Sequence, residues 1–198
     1  MTEAIPEPLL EELRRRHAEP HRAYHDWHHI AALLDLHGEL DGRFADAQAV
    51  LLAVLFHDAI YDPRASDNEE QSARLLETEL AGKRDEATLA RAAALVRATR
   101  AHAVPQGLPA DEAADMALFL DMDLAILGAE PAAFDRYEAQ VRREYAHVPD
   151  EAFRLGRAAV LERFVQRGQL YFSDWGRARF EAAARANLAR SLAALRGD

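Results

Sequence analysis

The sequence contains no cysteine. This absence excludes disulfides, thiolate catalysis and iron–sulfur ligation, so a bound metal ion would have to use nitrogen and oxygen ligands. The chain also lacks an apolar run near the ~18 residues that a membrane span requires, and its N-terminus lacks the basic-then-apolar pattern of a signal peptide. These absences predict a cytoplasmic protein with no membrane partner.

Positive charge is scarce, because 24 Lys and Arg residues face 34 Asp and Glu residues in a chain of net charge −10. A negative field repels nucleic-acid backbones, so a large nucleic acid is not expected as a partner. A small anionic substrate remains compatible, since one or two arginines in a pocket can bind a phosphate. The 198 residues suit a single domain, residues 1–198. The sequence leaves open whether that domain forms a homo-oligomer.

Apolar residues recur at helical spacing and β-branched runs are scarce, which predicts an all-α fold, a compact bundle of about eight to nine helices. The segment 45–60 is apolar on nearly all sides and is therefore expected to be the central, buried helix. Asp67 and Glu70 form a predicted capping box at the start of another helix. The predicted helices are 8–18, 23–40, 45–60, 67–80, 86–101, 111–127, 131–145, 151–167 and 174–195.

Histidines are concentrated near the N-terminus, where five of the nine lie between His17 and His29. His25 and His29 are four residues apart in the predicted helix 23–40, so they are expected to share one face of it. The remaining histidines outside the motifs below are expected at the surface or near helix N-termini. They are His17, His21, His28, His37 and His147.

His57 and Asp58 adjoin each other at the end of the most apolar predicted helix. Burying an imidazole and a carboxylate there costs several kcal/mol unless they pair or bind a cation. Two readings follow, a His–Asp pair that serves packing alone and a pair that holds a metal ion.

Two further carboxylates, Asp121 and Asp123, interrupt the apolar stretch 119–127. Carboxylates in such a setting are seldom unpaired, so at least one is expected to face a metal ion. Helical periodicity does not choose between them, and the other would bond to a neighbouring helix.

Taken in order, these fragments resemble the HD superfamily of metal-dependent phosphohydrolases, whose motif is a histidine, a His–Asp doublet and a later aspartate on separate helices. The resemblance implies an HD-domain-like helical bundle in which His29, His57, Asp58 and Asp121 or Asp123 bind metal. The family usually has asparagine after Tyr-His, where this chain has Asp26. The fragments are Tyr24-His25-x-x-x-His29-Ile30, Phe56-His57-Asp58-x-x-Tyr61-Asp62, Asp67-Asn68-Glu69-Glu70, Ala98-Thr99-x-x-His102, Leu120-Asp121-x-Asp123-Leu124 and Arg142-x-Glu144-Tyr145.

The expected activity is hydrolysis of a small phosphoester, a nucleotide or a related phosphorylated metabolite. Imidazole and carboxylate ligands suit Mn²⁺, Mg²⁺, Fe²⁺ or Co²⁺, with one ion or two left open. Such an ion lowers the pKa of a water and offsets phosphoryl charge. Asp58 would both ligate the ion and orient that water.

Supporting roles are assigned to residues of the same fragments. His25 and His102 are candidates for a second ion or for phosphate contact, and ordinary helix-face histidines are the alternative. Asp62 and Glu69 are candidate bases or supports of the ligands. Arg22 and Arg142 are candidate phosphate contacts.

Two other functions remain open. A di-iron oxygenase of the HD type would use His25 or His102 to complete a pair of irons. A non-catalytic HD-like domain would bind a metal ion or a nucleotide without turnover.

Overall fold

The computed structural model describes residues 5–197, and within that range it contains nine α-helices and no strand. The prediction of an all-α fold of eight to nine helices is confirmed. None of the helices in this range is both long enough and apolar enough to cross a bilayer. The helices are α1 (Glu7–His17), α2 (Trp27–Glu39), α3 (Ala47–Phe56), α4 (Asn68–Leu80), α5 (Glu86–Ala98), α6 (Ala110–Asp123), α7 (Pro131–Glu144), α8 (Asp150–Val165) and α9 (Asp174–Arg196), with a 3-10 helix at Leu124–Gly128.

The chain divides into two compact units, the first ending at Met122 and the second beginning at Asp123. Asp123 is also the last residue of α6, so its backbone continues a helix of the first unit. A single domain over residues 1–198 stays a prediction.

Helix α3 is the centre of the first unit, as its apolar sequence predicts. Seven of its ten residues are buried, and it packs against α2, α4 and α5. It ends at Phe56 rather than at residue 60, because the backbone N–H of Ala59 turns back to the carbonyl of Phe56. His57 is therefore the C-cap of α3, and Asp58 lies just beyond it.

Helix α2 begins at Trp27, four residues later than predicted. Asp26 is its N-cap, with an extended backbone and a carboxylate that accepts from the N–H of His28 at 2.8 Å. His25 consequently lies before the helix, and the prediction that His25 and His29 share a helix face is wrong. A capping aspartate outweighs the apolar periodicity here, because it satisfies N–H groups that a helix start leaves free.

The prediction of a capping box at the start of α4 is wrong. Asp67 is the N-cap residue, but its side chain makes no capping hydrogen bond. The Asp67 carboxylate accepts from the side chain of Gln71. Glu70 instead accepts from Arg97 of α5 at 2.7 Å. A charged hydrogen bond to a neighbouring helix is stronger than a cap bond to a backbone N–H, which explains the difference.

In the second unit, the end of α6 tightens into the 3-10 helix instead of continuing as α-helix to residue 127. Backbone carbonyls of this segment accept hydrogen bonds from side chains. The hydroxyl of Tyr171 donates to the carbonyl of Leu124, and the side-chain amide of Asn187 donates to the carbonyl of Leu127. Gly128 closes the segment against α9, where an added Cβ would lie 2.6 Å from the Cβ of Phe180. Buried donors therefore stabilise a chain geometry that helical periodicity alone does not predict.

Candidate metal centre

Two imidazoles face each other in the interior of the first unit. The Nε2 atoms of His29, in the first turn of α2, and His57, at the end of α3, are 3.1 Å apart, and both residues are buried. His57 Nδ1 lies 3.0 Å from the carbonyl oxygen of Val54, which can only accept, so Nδ1 carries the proton. Nε2 of His57 is thereby left to face His29, an arrangement that favours a proton or a cation between the rings.

Asp58 adds a carboxylate to this pair. Its Oδ2 lies 3.1 Å from His57 Nε2 and 3.8 Å from His29 Nε2. Burial raises the pKa of Asp58, but the imidazoles of His57 and His25 beside it outweigh that effect and hold the pKa well below its usual range. Asp58 is therefore ionised at neutral pH and offers negative charge to a cation.

Asp123 provides the other carboxylate. One of its oxygens and one ring nitrogen each from His29 and His57 all lie within 4.8 Å of one another. Two atoms that each lie ~2.1 Å from one ion are separated by ~3 to 4.2 Å, depending on the angle at the ion. The spacings in this group fit a divalent cation after small side-chain adjustments.

The sequence left open which aspartate of α6 faces the histidines. Within residues 5–197, the group that could hold a metal ion contains Asp123 and not Asp121. Asp121 is completely buried. Its role as a ligand stays a prediction.

Arg22 holds the backbone next to this centre. Its side chain is fully buried, and it donates to the carbonyls of Asp58 at 2.7 Å, Ala59 at 3.2 Å and His25 at 3.0 Å. Its Nε donates to Glu19. The geometry gives no support to Arg22 as a phosphate contact, because these acceptors occupy the guanidinium.

His25 lies beside the centre although it is outside α2. Its ring stacks on Tyr61 with centroids 4.3 Å apart, and its centroid is 6.3 Å from that of His29. His21 also contacts Tyr61, with its Nε2 2.7 Å from the carbonyl oxygen of that residue. His25 is thus close enough to influence Asp58, while metal or phosphate contact by His25 stays a prediction.

Asp62 and Glu69, the other candidate bases, lie around the loop that follows Asp58. The Asp62 carboxylate accepts from the N–H of Arg64 at 2.9 Å, and Asn68 bonds to both backbone groups of Asp62. Glu69 lies in the first turn of α4. Neither residue belongs to the group of His29, His57 and Asp123 among residues 5–197.

The remaining substrate candidates are His102 and Arg142. His102 follows α5 with a left-handed φ of 43°, whereas the other positive-φ positions of residues 5–197 are glycines. Arg142, in the second unit, donates to the carbonyls of Tyr145 and Val148 and to Asp150. These bonds place Arg142 at the end of α7 as a helix-terminating cation, and they give no support to a substrate contact.

His17 is buried, contrary to the expectation of a surface histidine. It is 1% exposed, its Nδ1 bonds to the carbonyl of Leu13, and its Nε2 has no hydrogen-bond partner. Burial lowers its pKa to about 4. The signal was present in the sequence, because Leu9, Leu13 and His17 recur every four residues on the buried face of α1.

Buried His17 predicts a loss of stability in mild acid. As pH falls below about 6.5, the unfolded chain binds a proton that folded His17 refuses until about pH 4. Between about pH 7 and about pH 4.5, the wild type is expected to lose about 2 kcal/mol more of its free energy of unfolding than His17→Asn, which keeps the donor to Leu13. Urea denaturation at both pH values measures this difference, and parallel losses in the two proteins would contradict it.

Asp115 is a functional candidate that sequence reasoning missed. It is 4% exposed, and its two carboxylate oxygens accept from the backbone N–H groups of Ala45 and Asp46, each at 2.8 Å. The sequence carried a signal for Asp115, because it is an aspartate among apolar residues of α6, as Asp121 is. Asp115 links α6 to the start of α3.

The fold and the site define an all-helical protein in which two buried histidines and a half-buried aspartate could hold a metal ion. Comparison of the chain with family models, curated proteins and solved structures found no match. The resemblance to the HD superfamily therefore depends on the motifs themselves.

Proposed function

We propose that the protein is a metal-dependent phosphohydrolase of the HD type that acts on a small phosphoester such as a nucleotide. The observation that carries the proposal is the placement of His29 and His57 with Nε2 atoms 3.1 Å apart, each also near a carboxylate. These four groups come from three parts of the chain, and a shared cation would offset the cost of holding two buried imidazole nitrogens and two carboxylates together.

The donor set indicates which cation fits. Imidazole nitrogens and carboxylate oxygens without a thiolate suit Mn²⁺, Fe²⁺, Co²⁺ or Mg²⁺. When bound, such an ion supplies Lewis-acid stabilisation of phosphoryl charge and lowers the pKa of a water. His29, His57, Asp58 and Asp123 would hold it.

Asp58 has a second task in this proposal. Because its pKa lies below the usual range, it is a weak base and a persistent hydrogen-bond acceptor. We therefore assign Asp58 to orienting the attacking water through a carboxylate oxygen, with little proton abstraction of its own.

The surroundings support chemistry at this point. The ring of Phe119 lies against His57 with centroids 6.0 Å apart, so an apolar wall lowers the local dielectric and strengthens electrostatic interactions. Asp58, His25 and Tyr61 are partly exposed. The substrate would arrive on the side of these three residues.

The test uses the full chain, stripped of metal with a chelator and then given Mn²⁺, Mg²⁺, Fe²⁺ or Co²⁺ separately. We expect at least one ion, at about 100 times its Kd, to raise Tm by about 5 °C or more. We expect the same ion to restore phosphate release from a panel of mononucleotides and sugar phosphates.

Each contrary outcome points to a different function. A rise in Tm without turnover on any phosphoester would favour a non-catalytic metal-binding domain. Oxygen consumption by the iron-loaded protein would favour the oxygenase. If no ion changes Tm, the proposal that these residues bind a metal ion is contradicted.

A further inference from the structure

Asp115 joins two helices through backbone groups that belong to a different part of the chain. Its carboxylate lies on α6 and is buried, and its two oxygens accept from the N–H groups of Ala45 and Asp46, each at 2.8 Å. Asp46 is itself the N-cap of α3, where its own carboxylate accepts from the N–H of Ala49. The start of α3 is therefore bonded directly to a side chain of α6.

Two of the four proposed ligands, His57 and Asp123, lie at the C-terminal ends of α3 and α6. His57, the C-cap of α3, lies about 16 Å along the helix axis from Asp46, at a rise of ~1.5 Å per residue. Asp123, the last residue of α6, lies about 12 Å from Asp115 on the same basis. A helix transmits a displacement along its axis because its backbone is hydrogen-bonded throughout. Fixing α6 to the start of α3 thus fixes how far Asp123 lies from His57.

We propose that Asp115 is a positioning residue, which sets the spacing between His57 and Asp123 and so tunes the affinity of the metal centre. The inference rests on the proposed function only in that these residues bind a divalent ion. Asp115 touches neither the ion nor the substrate.

Asp85 is the matched control. Its carboxylate also accepts from two backbone N–H groups, those of Ala87 and Thr88, each at 3.1 Å. Those groups belong to the helix that Asp85 itself begins, α5, so the cap stabilises one helix without joining it to another. Loss of the Asp85 carboxylate weakens an exposed cap within α5 alone. Loss of the Asp115 carboxylate releases α6 from α3.

The experiment compares Asp115→Asn and Asp85→Asn in the full chain, with Mn²⁺ as the probe. Asparagine keeps one acceptor oxygen, so Asp115→Asn loses one of its two bonds and is expected to lower Tm by about 2–6 °C. Asp85→Asn is expected to lower Tm less, because one oxygen of Asp85 accepts both of its bonds. Calorimetric titration is expected to show about tenfold weaker Mn²⁺ binding by Asp115→Asn. Asp85→Asn is expected to bind Mn²⁺ within about twofold of the wild type.

A second variant covers the case in which Asp115→Asn does not fold. Asp115→Glu keeps the charge and both acceptor oxygens but adds one methylene, which alters the spacing of α6 from α3. It is expected to fold and to bind Mn²⁺ several-fold more weakly than the wild type. Wild-type Mn²⁺ affinity in every Asp115 variant that folds would overturn the inference.

The outcomes separate this inference from the proposed reaction. Mn²⁺ binding that weakens in the Asp115 variants, in a protein that hydrolyses no phosphoester, would support the positioning role and overturn the hydrolase. No Mn²⁺ binding by the wild type would overturn both.

Discussion

The His57→Ala variant is expected to lose metal binding and hydrolysis together. His57 has the shortest distances in the centre, with its Nε2 3.1 Å from both His29 Nε2 and Asp58 Oδ2. A Lewis acid contributes several kcal/mol to transition-state stabilisation, and each ~1.4 kcal/mol is a factor of ten in rate. We expect phosphate release to fall by about a thousandfold or more and Mn²⁺ affinity by about a hundredfold or more. Steady-state kinetics and calorimetry measure the two quantities.

His28→Ala is the control for this variant. His28 belongs to the same histidine-rich stretch, but its side chain is 97% exposed and bonds to the capping Asp26. It is expected to keep wild-type turnover and affinity. Unchanged Mn²⁺ affinity in His57→Ala would contradict the metal centre, and unchanged turnover would contradict catalysis at this place.

The Arg22→Ala variant is expected to show the largest loss of stability. Removing the guanidinium leaves the carbonyls of His25, Asp58 and Ala59 without this donor in a buried region. At about 1 kcal/mol or more for each unsatisfied acceptor, the free energy of unfolding should fall by about 3 kcal/mol. Mn²⁺ affinity should fall as well, because the backbone of Asp58 loses its support. Urea denaturation and calorimetry measure both effects.

Two further substitutions serve as a partial rescue and a control for Arg22→Ala. Arg22→Lys keeps one charged donor but cannot fork between several carbonyls, so it should recover only part of the lost stability. Arg74→Ala removes an arginine whose side chain is 71% exposed and ion-paired with Glu70, and it should change stability by less than about 0.5 kcal/mol. Equal losses in Arg22→Ala and Arg74→Ala would show that the buried bonds contribute little.

Local sequence patterns predicted the helices and the most important pair of residues. The apolar segment around Val50 and Leu52 correctly indicated the central helix, because a helix that is hydrophobic all round has no favourable place at a surface. The same reasoning singled out His57 and Asp58, whose burial in such a helix requires a partner. The structure brings them within 3.1 Å of each other and beside His29.

The errors arose where a side chain from outside the segment competed with the local pattern. Periodicity extended α2 back to residue 23, but Asp26 caps it at Trp27 and leaves His25 outside. Glu70 has the spacing of a capping residue, yet Arg97 of α5 binds its carboxylate. A pattern within one segment contains no information about which partner a neighbouring helix presents.

By itself, the sequence determined the helical class and the ligand types open to a candidate metal site, since it offers imidazoles and carboxylates and no thiolate. The tertiary structure decided which groups meet. It brought Asp123 close to the two histidines, turned Arg22 inward onto backbone carbonyls, and bonded Asp115 of α6 to the start of α3. The physical reason is that helical periodicity determines the face on which a side chain lies. Distances between residues far apart in the chain depend instead on how complete helices pack and on which buried polar groups must be satisfied.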